Sequence, residues 1–226
     1  LTAIYCILVL GRAAVRRLDR ETVDAYTRGW STTLLHMVRA SLTVRGEVPE
    51  FGDGRRYMIM STHASHYDIP VTFVSMPGSI RMLAKKELFG IPLLGPAMRA
   101  AEFPSIDRHQ RNRAVQDLAR ARAMMESGIV LWAAPEGTRS SDARLQPFKK
   151  GCFHLALDTE AVVVPMAICG IHRVLQARSW KINLGQPVEV RVGTPIDTSG
   201  MTREQLPELM ARVRSQLEDL LGDGEA

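Results

Sequence analysis

The apolar residues of this chain fall into two rhythms. Short uninterrupted runs at 57–60, 129–133 and 161–168 have the length and content of strands buried on both faces. Between them, apolar residues recur at three- and four-residue steps, the period of a helix with one buried face. Val15, Leu18, Val23, Tyr26, Trp30, Leu34, Leu35 and Val38 give residues 13–41 such a stripe. Similar patterning predicts helices over 69–76, 111–127, 148–158 and 201–221; Pro77-Gly78 stops the first and Gly128 the second. Shorter strands are predicted at 42–46, 80–84 and 102–106. Residues 182–184 and 188–192 read as two more, joined as a hairpin through Gly185-Gln186. Residues 88–100 are apolar but interrupted by Gly90, Pro92, Gly95 and Pro96, so they border a lipid tunnel or pack as kinked core. Strands alternating with helices predict an α/β fold with a mixed, mostly parallel sheet flanked by helices. No internal repeat or rich linker interrupts the chain.

The stretch from Leu1 to Leu10 is almost wholly apolar, and Arg12, Arg16, Arg17 and Arg20 follow it. It is too short to span a bilayer, which takes about 20 apolar residues. It fits the tail of a longer segment, an interfacial anchor or an ordinary buried helix start; its one-sided basic flank favours a helical membrane-contacting segment. Residues 1–45 are accordingly read as an N-terminal, membrane-associated helical segment and residues 46–226 as the α/β domain. The net charge of +5, in which arginine outnumbers lysine, suits an anionic partner. Phosphate groups, an acidic carrier, an anionic bilayer and nucleic acid all qualify. Cys6, Cys152 and Cys169 are too few and too scattered for a disulfide framework or a zinc site, which points to a reducing compartment.

His63 and Asp68 occupy the turn between the 57–60 strand and the 69–76 helix. A neutral imidazole takes a proton from a hydroxyl when a carboxylate fixes its tautomer. The pair alone leaves three readings open. His63 is a base oriented by Asp68, or Asp68 is a helix N-cap, or His63, His66 and Asp68 are metal ligands. A second loop, 135–140, also follows a buried strand. In it Gly137 lets the backbone approach a ligand, Thr138 offers a hydroxyl, and Arg139 a guanidinium fork that matches phosphate. Glu136 in that company must be paired or must orient the basic group. Phe148-Lys149-Lys150-Gly151 adds positive charge before a helix N-terminus, and Arg108 ends another strand. Together these loops predict one crevice at the carboxyl ends of the strands. Singly, each arginine also fits an ordinary solvated surface.

The order and spacing of these segments resemble the glycerolipid acyltransferase family. His63-Ala64-Ser65-His66-Tyr67-Asp68 is similar to its histidine, four residues, aspartate block, and Phe103-Pro104-Ser105-Ile106-Asp107-Arg108 to its second block. Pro135-Glu136-Gly137-Thr138-Arg139-Ser140 matches the third at every position, and Val163-Val164-Pro165-Met166 resembles the fourth. Thr62 stands where many members carry asparagine, and Glu102 where glycine is frequent. The resemblance spans about residues 50–190. It implies His63 as base and Asp68 as its orienting partner, with Ser65, Arg108, Glu136, Gly137, Thr138, Arg139 and Lys150 serving the substrate. It implies acyl-CoA or acyl carrier protein as donor and a lysophospholipid as acceptor, by default the 1-acyl glycerol phosphate. Glycerol 3-phosphate and lyso-ornithine lipid are alternatives. No metal, no cofactor and no nucleic acid enter this reading, and the location is the cytoplasmic face of the inner membrane, peripheral or anchored by the N-terminal segment. Two other classes compete: a basic membrane-surface or nucleic-acid binding protein without catalysis, and a metal-dependent phosphoester hydrolase.

Overall fold

The computed structural model describes residues 1–106, 114–140 and 144–222. The chain enters as two helices, α1 (Thr2–Ala14) and α2 (Arg20–Met37), where the apolar stripe predicts one helix over 13–41. The break lies where Arg16 adopts a left-handed φ of 54°. Asp19 then restarts the helix by accepting the Thr22 N–H at 2.7 Å, a cap worth ~1 kcal/mol. The next elements are β1 (Ser41–Arg45), β2 (Tyr57–Ser61), α3 (Asp68–Ser75), β3 (Ser79–Met82), β4 (Ala84–Lys85), α4 (Leu94–Ala100) and β5 (Ser105–Ile106). Then come α5 (Ala114–Glu126), β6 (Ile129–Ala133), α6 (Gly151–Thr159), β7 (Val162–Cys169) and the one-turn α7 (Ile171–Val174). The chain closes with β8 (Pro187–Val192), β9 (Ile196–Asp197) and α8 (Leu206–Leu221).

Among the described residues the main sheet has the order β1-β8-β7-β2-β6-β3, with β9 paired beside β7. Strands β7, β2, β6 and β3 are parallel, whereas β8 and β9 run antiparallel to β7. The sheet is mixed and mostly parallel, as the alternation of elements implies. All eight positions of β7 and all five of β2 and of β6 are buried, because helices cover both faces. Side chains divide between those faces by parity. Tyr57 and Ile59 join the cluster under α1 to α4; Met58 and Met60 join the cluster under α5, α6 and α8. Each fully buried aliphatic side chain contributes about 1.5–3 kcal/mol, so these strands dominate the core. A capping box between Thr202 and Gln205 opens the 3-10 turn Arg203–Gln205 that leads into the closing helix, and Leu206, Leu209, Val213, Leu217 and Leu221 form that helix's buried stripe.

Two further expectations shift. The 102–106 strand shrinks to the two-residue β5, which pairs with β4 in a small sheet of its own. Glu102 is left-handed, at φ 61°, and so cannot extend it. The hairpin through Gly185-Gln186 does not form. Ile182 makes an isolated antiparallel bridge to Leu175, while β8 pairs with β1 and β7. The buried Val188, Val190 and Val192 fix β8 on the core, and Ile182 and Leu184 stay exposed with no such burial to gain.

Candidate active site

Strands β7, β2 and β6 lie side by side and point the same way, so the loops that leave them share one end of the sheet. Thr62 ties β2 to β7 there. Its N–H donates to Met166 O at 3.2 Å, and its Oγ1 accepts the Ile168 N–H at 3.0 Å. Trp132 Nε1 donates to Ser61 Oγ at 2.8 Å, joining β6 to the same strand end. The base of the His63 loop is therefore anchored from both sides.

His63 Nδ1 stands 2.7 Å from Asp68 Oδ2. The same oxygen accepts the N–H groups of Ala64 at 2.9 Å and Ser65 at 3.0 Å. The Asp68 side chain is fully buried, while that of His63 is 22% exposed. Desolvating a carboxylate is costly, and these donors offset the cost. With Asp68 accepting from Nδ1–H, the neutral ring presents the Nε2 lone pair to a substrate. Asp68 is not an N-cap: it is the first residue of α3, Tyr67 holds the cap position, and the carboxylate turns back onto the loop. His66 does not join His63 and Asp68 as a ligand set. It lines a separate apolar hollow, and among the described residues no three His, Cys, Asp or Glu side chains are grouped to hold a metal. Partial burial, with the Arg139 guanidinium nearby, pushes its pKa down.

The 135–140 loop is fastened to the His63 loop on both sides of that residue. Glu136 Oε1 accepts the His63 N–H at 2.9 Å, and Ser140 N–H donates to His63 O at 2.7 Å. Glu136 Oε2 accepts the Gln146 N–H at 2.9 Å. Burial pushes the Glu136 carboxyl up, against the pull of these two N–H donors. Glu136 thus faces inward as a brace between loops. Ser65 also faces inward: it is fully buried, donates through Oγ to Leu175 O at 2.7 Å and accepts the Tyr67 N–H. Gly137 bends the loop at φ 69°, a region that costs other residues about 1–2 kcal/mol, and its N–H is spent on Ala134 O. Beyond the bend, Thr138 is exposed and Arg139 half-buried. Arg139 has no hydrogen-bond or ion-pair partner among the described residues. Lys150 is exposed at the N-cap of α6, and Gly137 and Lys149 border a cleft of about 520 Å³. Arg108 lies outside the described residues.

An apolar hollow of about 310 Å³ has His66, of the same loop as His63, in its wall. Tyr5, Cys6 and Val9 of α1, Tyr26 and Trp30 of α2, and Ile69 and Phe73 of α3 line it with His66. Leu88, Leu94, Ala97, Met98 and Phe103 complete the wall, so the interrupted 88–100 segment supplies both core and lining. The sequence pattern misses the share of α1 and α2, whose stripes resemble those of any buried helix. It also misses Thr62, Ser140 and Gln146. Ser140 at least belongs to a motif, whereas Gln146 carries no local signal.

Comparison with known proteins supplies a context. A family model described as Acyltransferase matches residues 41–169. The chain is 31% identical over 193 residues to a 1-acyl-sn-glycerol-3-phosphate acyltransferase of Cocos nucifera, covering 85% of this chain and 61% of that protein. It is 30% identical over 175 residues to the alpha form of the human enzyme of that name, covering 77% and 61%. With the Limnanthes alba protein of the same name it shares 34% over 160 residues, covering 70% and 57%. The chain thus spans 57–61% of the length of these curated relatives. The crystal structure of the 1-acyl-sn-glycerophosphate acyltransferase PlsC from Thermotoga maritima superposes with a TM-score of 0.75 at 26% identity, over 96% of this chain and 86% of that one.

Proposed function

The chain belongs to the acyltransferase family, and on that premise we propose that it moves a fatty acyl group from a thioester to the free hydroxyl of a lysophospholipid. The donor is acyl-CoA or acyl carrier protein, and the acceptor is 1-acyl-sn-glycerol-3-phosphate, giving phosphatidate. The contact of His63 Nδ1 with Asp68 Oδ2 at 2.7 Å, beside the Arg139 loop, carries the reading.

In this reaction His63 Nε2 takes the hydroxyl proton as the acceptor oxygen attacks the thioester carbonyl. Asp68 holds the tautomer and stabilises the imidazolium. The tetrahedral intermediate collapses, the carbon–sulfur bond breaks, and the imidazolium returns the proton to the leaving thiolate. Arg139 and the Thr138 hydroxyl hold the acceptor phosphate, with Lys150 and Arg108 adding positive charge. Glu136 keeps the two loops in register, Ser65 ties the His63 loop to Leu175, and Gly137 supplies the bend. Positioning two substrates contributes roughly 7–11 kcal/mol to lowering a barrier, so the phosphate anchor matters nearly as much as the base. The apolar hollow beside His66 accommodates an acyl chain.

Work on lipids requires access to them. Ile4, Ile7, Leu8 and Val15 are exposed, with Arg12, Arg16 and Arg17 beside them, which supports docking of α1 on the cytoplasmic face of the inner membrane. Arg20 is not part of that flank: it binds Glu102 and the Ser127 carbonyl. Among the described residues no helix is long and apolar enough to cross a membrane.

The test is transfer of radiolabelled oleate from oleoyl-CoA to a panel of acceptors. Labelled phosphatidate from lysophosphatidate is expected, and none from His63→Ala, whose melting should match the parent. Absence of transfer to every acceptor from both oleoyl-CoA and oleoyl-acyl carrier protein, or an active His63→Ala, would overturn the proposal.

A further inference from the structure

We propose that the loop between α7 and β8 is a second lipid-contact element, seating Trp180 in the headgroup layer of an anionic bilayer. Trp180 is 97% exposed. It is not a loose side chain on a frayed segment. The base of the loop is closed by the Leu175–Ile182 bridge and by Asn183, whose N–H donates to Val174 O at 2.9 Å and whose Nδ2 donates to Arg173 O at 2.8 Å. The tip is closed by Ser179 N–H to Gln176 O at 3.1 Å and by Lys181 N–H to Ser179 Oγ at 3.0 Å. An ordered turn therefore holds an indole out in water, where its large apolar surface gains nothing.

The neighbours define what would cover it. Ile182 and Leu184 are also exposed, and Arg178 and Lys181 flank the indole. Between Glu160 and Glu189 the chain carries no acidic residue. An amphipathic ring among cations, with aliphatic residues behind it, matches the interface of an anionic bilayer, where indole sits at headgroup depth and lysine and arginine meet phosphate. The loop also reports to the site: Leu175 O accepts the Ser65 hydroxyl at 2.7 Å, and the Ser65 N–H binds Asp68. Seating the tip in lipid would hold the His63 loop against the surface from which a lysolipid arrives. The inference deepens the proposed reaction, but binding can be measured without substrate, so either can fail alone.

The experiment mixes the protein with phosphatidylglycerol vesicles carrying brominated chains and follows tryptophan emission. The parent should be quenched, and Trp180→Phe should lose a large part of that quenching, leaving the signal of Trp30 and the buried Trp132. Each cation contributes about a fivefold gain in partitioning, so Arg178→Gln with Lys181→Gln should bind about 25-fold more weakly. Transfer between short-chain, water-soluble substrates should be unchanged in Trp180→Ala. Equal quenching in Trp180→Phe, or undiminished vesicle binding by the double variant, would overturn the proposal. So would a Trp180 emission shift produced by acyl carrier protein or by self-association and not by vesicles.

Discussion

Glu136 reaches across the site to take the backbone N–H of His63 at 2.9 Å, from 73 residues away in the chain. Its second oxygen takes the Gln146 N–H. One buried carboxylate thus sets the spacing between the His63 loop and the 135–140 loop. Glu136→Gln turns an amide NH₂ toward one of these two donors and leaves a buried N–H unsatisfied, which should destabilise the fold by ~1–3 kcal/mol. Thermal melts check this, and a fall in turnover should accompany it.

The same carboxylate gives a pH signature. Burial raises its pKa in the folded state, so the native protein holds its proton at a pH where the unfolded chain has released it. Stability should therefore fall as pH rises from the ordinary glutamate range through the raised value, and level off above it. Glu136→Gln should flatten that part of the profile relative to the parent; an identical slope in both would assign the dependence elsewhere.

Asp68→Asn keeps the size of the side chain but presents an amide where one oxygen serves three donors. The imidazole then loses the acceptor that holds its tautomer, and kcat should drop roughly 10³–10⁴-fold. Donor affinity should change little, which direct binding of a non-hydrolysable acyl-CoA analogue would read.

Arg139→Ala removes the half-buried guanidinium beyond the Gly137 bend. Charge-assisted hydrogen bonds contribute ~1.5–3 kcal/mol, so the acceptor KM should rise roughly 10- to 100-fold while the donor KM stays nearly constant. Equal effects on both would remove Arg139 from the phosphate role.

Glu102 provides a test of backbone strain against ion pairing. It stands at φ 61° and gives its carboxylate to Arg20 at 2.9 and 3.0 Å. Left-handed backbone costs about 1–2 kcal/mol outside glycine, and a part-exposed ion pair returns ~0.2–1 kcal/mol. Glu102→Ala keeps the strain and loses the pair; Glu102→Gly loses both. The glycine variant should therefore be more stable than the alanine variant by about 1 kcal/mol, measured by urea unfolding.

Much of the architecture was legible because its strands are short apolar runs, and burial on both faces leaves no other way to read 57–60, 129–133 or 161–168. The His63–Asp68 contact was legible for a different reason: the residues are near neighbours in the chain, so local spacing carries it. What escaped depended on distant partners or single dihedral angles. The stripe through Val15 and Leu18 continues across a helix break, since Arg16 changes the backbone without disturbing the apolar period. Residues 182–184 alternate like a strand, but the core has no place left for them. Arg139 could be read from its motif, whereas the bracing role of Glu136 needed Gln146, which nothing nearby announces.

The pairing of β1 with β8 along Ser41 to Arg45 has a practical side. A fragment begun at residue 46 would strip β8 of that neighbour and present a ragged margin of unpaired N–H and C=O groups. Such margins recruit strands from other molecules, so expression trials that begin past Arg45 should yield insoluble material even with His63, Asp68 and Arg139 retained.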